Sequence, residues 1–173
     1  RVGNRLTEGY TLANLGRALA AQGRAREARE AIEQASALAR QMKDAHLASA
    51  AALYACRLDP IAADADTLAA LLRDPSPTVR ASAHVIEAER AVAADRAITH
   101  VDEALTIADD GLEEGEIEIR AAAARLLDRH SLTERATQAR TRAEERLSEL
   151  ATRITDADTR DAFVARARVV IRS

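Results

Sequence analysis

The chain lacks most of the residues that mark secreted proteins, membrane proteins and ligand pockets. Aromatic residues make up only 2% of its 173 positions, tryptophan is absent, and Cys56 is the single cysteine. One cysteine excludes an internal disulfide, so we expect a reducing, cytoplasmic location. No apolar run approaches the roughly 18 residues of a membrane helix, and no secretory leader is recognisable. We therefore expect no membrane partner.

The charge is balanced. The chain has 25 basic and 28 acidic residues, with a formal net charge of −3, and Lys43 is its only lysine. A nucleic-acid surface needs a clustered basic excess, so we expect no nucleic-acid partner. The use of arginine in place of lysine suggests a high-GC bacterial genome. Hydrophobic residues reach 47%, which argues against disorder.

Abundant alanine and leucine, with only 3 prolines and 6 glycines, predict an all-α fold. Gly23 is predicted to end a helix in the left-handed conformation. Three helix starts are predicted from side-chain caps: Asp44, Ser76 followed by Pro77, and Ser131 as the first residue of a capping box. The predicted helices cover about residues 7–22, 25–43, 45–57, 63–73, 77–93, 95–110, 112–129, 131–154 and 156–172.

The stretch from Tyr10 to Met42 predicts two amphipathic helices joined at Gly23. The first is marked by Leu12, Leu15, Gly16 and Leu19, and the second by Ala28, Ile32 and Ala35. This spacing resembles a tetratricopeptide repeat. The resemblance implies a right-handed superhelix of antiparallel helix hairpins. It also implies that Leu15-Gly16 lies where the helices cross, with Gly16 small because a backbone passes there and Ile32 filling the pocket.

The same small–large–small pattern recurs further along the chain. Ala97, Val101 and Ala104 repeat the spacing of Ala28, Ile32 and Ala35 at an offset of 69 residues. That offset is close to two repeat lengths of about 34 residues. We therefore expect one domain over residues 1–173, with about four hairpins and a terminal capping helix. The best-defined repeat covers 9–42, degenerate hairpins cover 44–73, 77–109 and 112–154, and the capping helix covers 156–172, where Phe163 closes the stack.

Candidate chemistry is sparse. The four histidines, His46, His84, His100 and His130, are scattered without metal-ligand spacing, and His100 beside Asp102 and Glu103 favours a surface histidine. No glycine-rich phosphate loop and no nucleophile motif is present. We therefore expect no enzymatic activity, no cofactor and no metal. The segment 102–118 has eight acidic residues and no basic one, which favours a solvated surface over a site for a basic partner.

In a tetratricopeptide stack the first helix of each hairpin lines the concave face, so the resemblance implies a partner-binding groove. Tyrosine and arginine most often anchor protein contacts, which makes Tyr10, Arg17 and Tyr54 the strongest candidates. The predicted groove residues are Tyr10, Ala13, Arg17, Leu47, Tyr54, Ser82, Ile86, Glu89 and Arg90.

The ending RITDADTRDAFVARARVV resembles the close of repeat regions in bacterial serine/threonine protein kinases and signalling ATPases. The matching residues are Arg153, Ile154, Asp156, Arg160, Phe163 and Arg166. The chain departs from that pattern at Ala167, where such regions commonly continue with Pro-Glu-Asn. The resemblance implies a protein or peptide partner, with a serine/threonine kinase among the candidates.

The predicted function is therefore non-catalytic protein–protein interaction, as an adaptor or scaffold in bacterial signal transduction. One alternative is a structural spacer or self-association module, motivated by an apolar seam from Leu132 to Ile154 on the eighth helix. Packing of that seam within a hairpin is preferred, since its several alanines would make a weak coiled coil. A second alternative is a small-molecule sensor, which the shortage of aromatic residues disfavours.

Overall fold

The computed structural model describes residues 2–172, with side chains from Arg5 to Arg172, and the regular elements in that range are all α-helices. The predicted all-α fold is confirmed for these residues. The helices are α1 (Val2–Ala21), α2 (Ala25–Met42), α3 (Ala45–Leu58), α4 (Ala65–Leu71), α5 (Pro77–Arg90), α6 (Ala94–Asp109), α7 (Glu116–Arg129), α8 (Thr133–Thr152) and α9 (Ala157–Arg172).

Three predicted helix ends are confirmed by their hydrogen bonds. Gly23 has a φ of +75° and lets the Arg24 N–H donate to the Leu19 carbonyl at 3.0 Å, which closes α1. Asp44 caps α3 by accepting from the Leu47 N–H at 2.7 Å. At the start of α5, Ser76 accepts from the Val79 N–H at 3.4 Å and proline occupies the first turn.

The predicted capping box at Ser131 is wrong. Ser131 has a φ of +61°, and α8 begins after Leu132 without a side-chain cap. The left-handed residue serves the preceding helix instead, because the Leu132 N–H donates to the Leu127 carbonyl at 2.9 Å. Ser131 and Leu132 thus close α7, and α8 starts directly afterwards at Thr133.

The chain divides into two compact units, Arg1–Pro75 and Ser76–Ser173. In the first unit α1 packs against α2 and α3, α2 packs against α3, and α4 packs against α3. In the second unit α5, α6 and α7 contact one another, and so do α7, α8 and α9. The single domain and its repeat boundaries stay a prediction.

The predicted close approach at Gly16 is confirmed. A Cβ placed on Gly16 would lie 2.5 Å from Ile32 Cγ1 and 3.1 Å from the Ala28 carbonyl oxygen, so α1 and α2 meet where only glycine fits. Leu15 departs from the prediction, because its side chain is 48% exposed while Ala13 is buried at 1%. The buried stripe of α1 is therefore rotated away from Leu15.

The recurring small–large–small pattern occupies equivalent environments in the two units. Ala28, Ile32 and Ala35 are at most 2% exposed in α2, and Ala97, Val101 and Ala104 are at most 1% exposed in α6. Ala28 and Ile32 lie beside Gly16 of α1, and Val101 and Ala104 share a core cluster with residues of α5, α7 and α8.

The apolar seam of α8 is used within the second unit. Ala136 and Ala139 join the core formed with α5, α6 and α7. Ala143 and Leu147 pack with α9, where Phe163 is half-buried against them. The preferred prediction, packing of the seam within a hairpin, is confirmed for these four residues in that they cluster with residues of α7, and Ala143 and Leu147 cluster with α9 as well.

Candidate functional site

The predicted groove residues of the first unit differ in accessibility. Arg17 is exposed, and Tyr10 and Tyr54 are half-buried against the cluster around Ile32. Ala13 and Leu47 are buried at 1% and 0%. Their side chains fill the contacts among α1, α2 and α3, so Ala13 and Leu47 are not part of an exposed surface in this structure.

Tyr10 connects the first and third helices. Its hydroxyl donates to Asp44 Oδ1 at 3.4 Å, and the same oxygen caps α3 through Leu47 N–H. Burial raises the pKa of the Tyr10 phenol, and the charge of the Asp44 carboxylate and its hydrogen bond raise it further. Tyr10 thus has a structural role at this contact besides any role toward a partner.

The predicted groove residues of the second unit all lie on α5. Ser82 and Ile86 are buried at 1% each and belong to the helix contacts. Glu89 and Arg90 are half-buried, and Arg90 pairs with Glu87 of the same helix at 3.6 Å. Only the last turn of α5 therefore offers predicted groove side chains at the surface.

Two histidines that are far apart in sequence meet across the α5–α6 hairpin. The Nδ1 atoms of His84 and His100 lie 3.0 Å apart, with ring centroids 5.3 Å apart and ring planes tilted by 46°. One imidazole must donate and the other accept at this distance, so the contact requires that at least one Nδ1 is unprotonated. The two residues are equally spaced from the turn near Val92, and this symmetry about the turn is the sequence signal for the pair.

The surroundings of the pair oppose its protonation. Burial lowers the pKa of His84, and the charge of His100 lowers it further; burial also lowers the pKa of His100. The nearby carboxylates of Glu87 and Glu103 act in the opposite direction on both rings. The neighbouring guanidinium groups, which lower the pKa values, are Arg80 toward His84 and Arg96 toward His100.

We expect acid to destabilise the α5–α6 hairpin through this pair. A histidine whose folded-state pKa is lowered contributes stability that is fully present above its unfolded pKa of about 6.5 and is lost as pH falls through the folded pKa. Hydrogen exchange of α5 and α6 amides from about pH 7.5 to about pH 5.5, corrected for intrinsic exchange, should show this loss. The double substitution His84→Gln with His100→Gln should make the stability of the hairpin less dependent on pH. His46→Gln, at an exposed position outside the hairpin, should leave that dependence as it is in the wild type.

Imidazole resonances followed by NMR supply the direct check. Both hairpin histidines should titrate below the unperturbed value, in two coupled steps. A midpoint at or above about 6.5 for His84 would contradict the assignment.

Arginines neutralise part of the acidic segment 102–118. Arg120 of α7 is 5% exposed, and its guanidinium contacts Asp109 Oδ1 and Glu116 Oε1 at 2.8 Å each. Glu116 Oε2 lies 3.1 Å from Arg146 Nε of α8, and Arg146 also donates to the Leu112 carbonyl at 3.2 Å. This network fixes the connection from α6 to α7 against α8. The sequence pattern did not reveal it, because the basic partners lie outside the acidic run.

The residues at the start of α9 have local structural contacts. Asp156 accepts from the Thr159 N–H at 2.8 Å at the start of α9, and this bond and a side-chain bond from Thr159 lower the Asp156 pKa. Arg160 lies beside the Ile154 carbonyl at 3.5 Å, and Phe163 packs in the apolar cluster of α7, α8 and α9. The pattern therefore describes how this helix begins and packs.

Within residues 2–172 no group of three or more histidine, cysteine, aspartate or glutamate side chains is arranged to hold a metal ion. None of the helices in this range is long and apolar enough to cross a membrane. Comparisons with protein-family models, curated proteins and solved structures found no match to the chain.

Proposed function

We propose that the chain is a non-catalytic protein-interaction module of tetratricopeptide-like hairpins, acting as an adaptor or scaffold in cytoplasmic bacterial signalling. One observation carries the proposal: in each unit the first helix of a hairpin packs on its own second helix and on the first helix of the next. The contacts of α1 with α2 and α3, and of α5 with α6 and α7, follow this scheme. Stacked hairpins of this kind contact only their neighbours and leave extended faces for partners.

We assign the partner surface of the first unit to the exposed part of α1. Arg17 is exposed there, and among the described residues its guanidinium has no hydrogen-bond or ion-pair partner. A free guanidinium binds a carboxylate bidentately, so the partner would present an acidic side chain or a chain terminus. The half-buried rings of Tyr10 and Tyr54 supply the amphipathic surface typical of interfaces. The resemblance of the ending makes a serine/threonine kinase the first candidate partner.

Charge reversal at Arg17 tests the proposal. We expect Arg17→Glu with Tyr10→Phe to weaken partner binding by more than about tenfold, as loss of an interface anchor does. Tyr10→Phe removes the hydroxyl and keeps the packed ring, so helicity measured by circular dichroism should not change. Capture from a native lysate identifies the retained protein, and titration of that purified protein gives the affinity.

Arg26→Glu is the matched control, because Arg26 is 90% exposed on α2 and pairs only weakly with Glu30 at 3.5 Å. Equal affinity of the wild type and the double variant would exclude the Arg17 surface. Retention of no protein by the wild type would favour the spacer alternative, which sedimentation over a concentration series then tests.

A further inference from the structure

The first unit contains a cavity of about 520 Å³ on the side of α2 and α3 that faces α4. Its lining includes the apolar residues Ile32, Ala52, Ala55 and Leu58, together with Cys56. Residues of the connection between α3 and α4 also line it. Its size falls in the range of about 300–1,000 Å³ that is usual for small-molecule sites.

Some polar side chains that line the cavity have hydrogen-bond partners within the described part of the chain and others have none. Asp59 and Asp64 hold the connecting loop, since they accept from the N–H groups of Ala62 at 3.1 Å and Thr67 at 2.8 Å. By contrast, Arg40 and Ser36 lie one turn apart on α2, and neither side chain has a hydrogen-bond partner among the described residues. Ser36 is half-buried, so its free hydroxyl faces the cavity at some desolvation cost.

We propose that this cavity is a binding site for an amphipathic carboxylate, with the carboxylate at Arg40 and Ser36 and the apolar tail toward Ile32 and Leu58. A guanidinium and a hydroxyl on one helix face form a donor pair suited to a carboxylate. The apolar lining supplies the area that a hydrocarbon tail needs to leave water.

The lining also carries Arg29 and Glu33 on α2, four residues apart. Glu33 is seven residues, about 10 Å along the helix, from Arg40, so Arg40 is the lining cation that has no lining carboxylate within one turn of α2. This ligand function is separate from partner binding on α1.

Decanoate, with decanol as its uncharged counterpart, is a suitable probe of the full chain. We expect decanoate to bind at sub-millimolar to millimolar concentration and to slow modification of Cys56 by a thiol reagent, because Cys56 is one of the residues that line the cavity. Arg40→Gln should weaken decanoate binding by about tenfold and leave decanol binding unchanged. Arg26→Gln, on α2 but outside the cavity, should leave both unchanged.

Ala55→Leu tests the apolar part, because a larger side chain in the lining should exclude both probes while the helix former keeps α3 intact. Decanoate binding that is equal in the wild type, Arg40→Gln and Ala55→Leu would overturn the proposal by showing adsorption elsewhere. Absence of any decanoate binding would overturn it as well. Loss of decanoate binding in both variants, with unchanged circular dichroism, would support it.

Discussion

Replacing Glu116 by alanine should destabilise the second unit by about 2–4 kcal/mol. Removing one partner of a buried ion pair usually costs about 3–5 kcal/mol. Glu116 is the shared partner of two guanidinium groups, at 2.8 Å from Arg120 and 3.1 Å from Arg146. The Arg120 side chain is only 7% exposed, so its charge would lose its best-shielded partner and keep Asp109, which is 66% exposed. The loss should be at the low end for a buried ion pair because Arg120 keeps Asp109 as a partner.

Hydrogen exchange of the α7 amides in the full chain measures this loss locally, since slow exchange there reports the opening free energy of the unit. Arg142→Ala is the control, because its pair with Glu145 is exposed on both sides and should contribute less than about 1 kcal/mol. Adding Arg120→Met to Glu116→Ala should recover part of the lost stability, because it removes a buried charge whose remaining partner, Asp109, is exposed. A double variant less stable than Glu116→Ala would contradict the electrostatic explanation.

The parts of the fold that the sequence predicted correctly depend on local backbone chemistry. Gly23, Asp44 and Ser76 close or begin helices through hydrogen bonds to residues three to five positions away. The prediction of a capping box at Ser131 is wrong for a local reason too. The sequence Ser-Leu-Thr-Glu is compatible both with the end of one helix and with the start of the next. Only the left-handed conformation at Ser131 distinguishes the two outcomes.

The candidate site was harder to predict because it depends on the rotation of each helix about its axis. Alanine lies on both the buried and the exposed faces of these helices, so the apolar stripe is wide and its centre is poorly marked. Leu15, which the repeat spacing predicts at the helix crossing, is exposed, whereas Leu47, a predicted groove residue, is buried. A shift of one position, about 100° around the helix, is enough to exchange these environments.

Contacts between distant residues required the three-dimensional arrangement. His84 and His100 are 16 positions apart, and Arg120 reaches its partner Asp109 across the connection from α6 to α7. Neither spacing corresponds to neighbours on one helix, which are three or four positions apart. The hairpin turn near Val92 gives the register for the histidines once the helices are known to be antiparallel.

Replacing Gly16 by alanine should destabilise the first unit by about 1–2 kcal/mol. The added Cβ would lie 2.5 Å from Ile32 Cγ1 and 3.1 Å from the Ala28 carbonyl oxygen, so α1 and α2 must separate. Overpacking of this kind costs about 1–3 kcal/mol, and the better helix propensity of alanine offsets up to about 1 kcal/mol. Hydrogen exchange of α1 and α2 amides in the full chain measures the difference, and greater protection in Gly16→Ala than in the wild type would contradict the close approach.

Two further substitutions test whether the cost of Gly16→Ala is steric. Gly9→Ala measures the general effect of an alanine in α1, and Ile32→Ala removes the side chain that the new methyl group would meet. The three atoms nearest to a Cβ on Gly9 all belong to the Leu47 side chain, whereas a Cβ on Gly16 also meets the Ala28 backbone, so Gly9→Ala should cost less than Gly16→Ala. Ile32→Ala by itself should cost about 2–5 kcal/mol as a cavity. In that background Gly16→Ala should become neutral or stabilising, because the Cγ1 atom is gone and the cavity accepts a methyl group. A Gly16→Ala cost that stays the same in the presence and absence of Ile32 would mean that the Ala28 backbone, and not the Ile32 side chain, sets the spacing of the two helices.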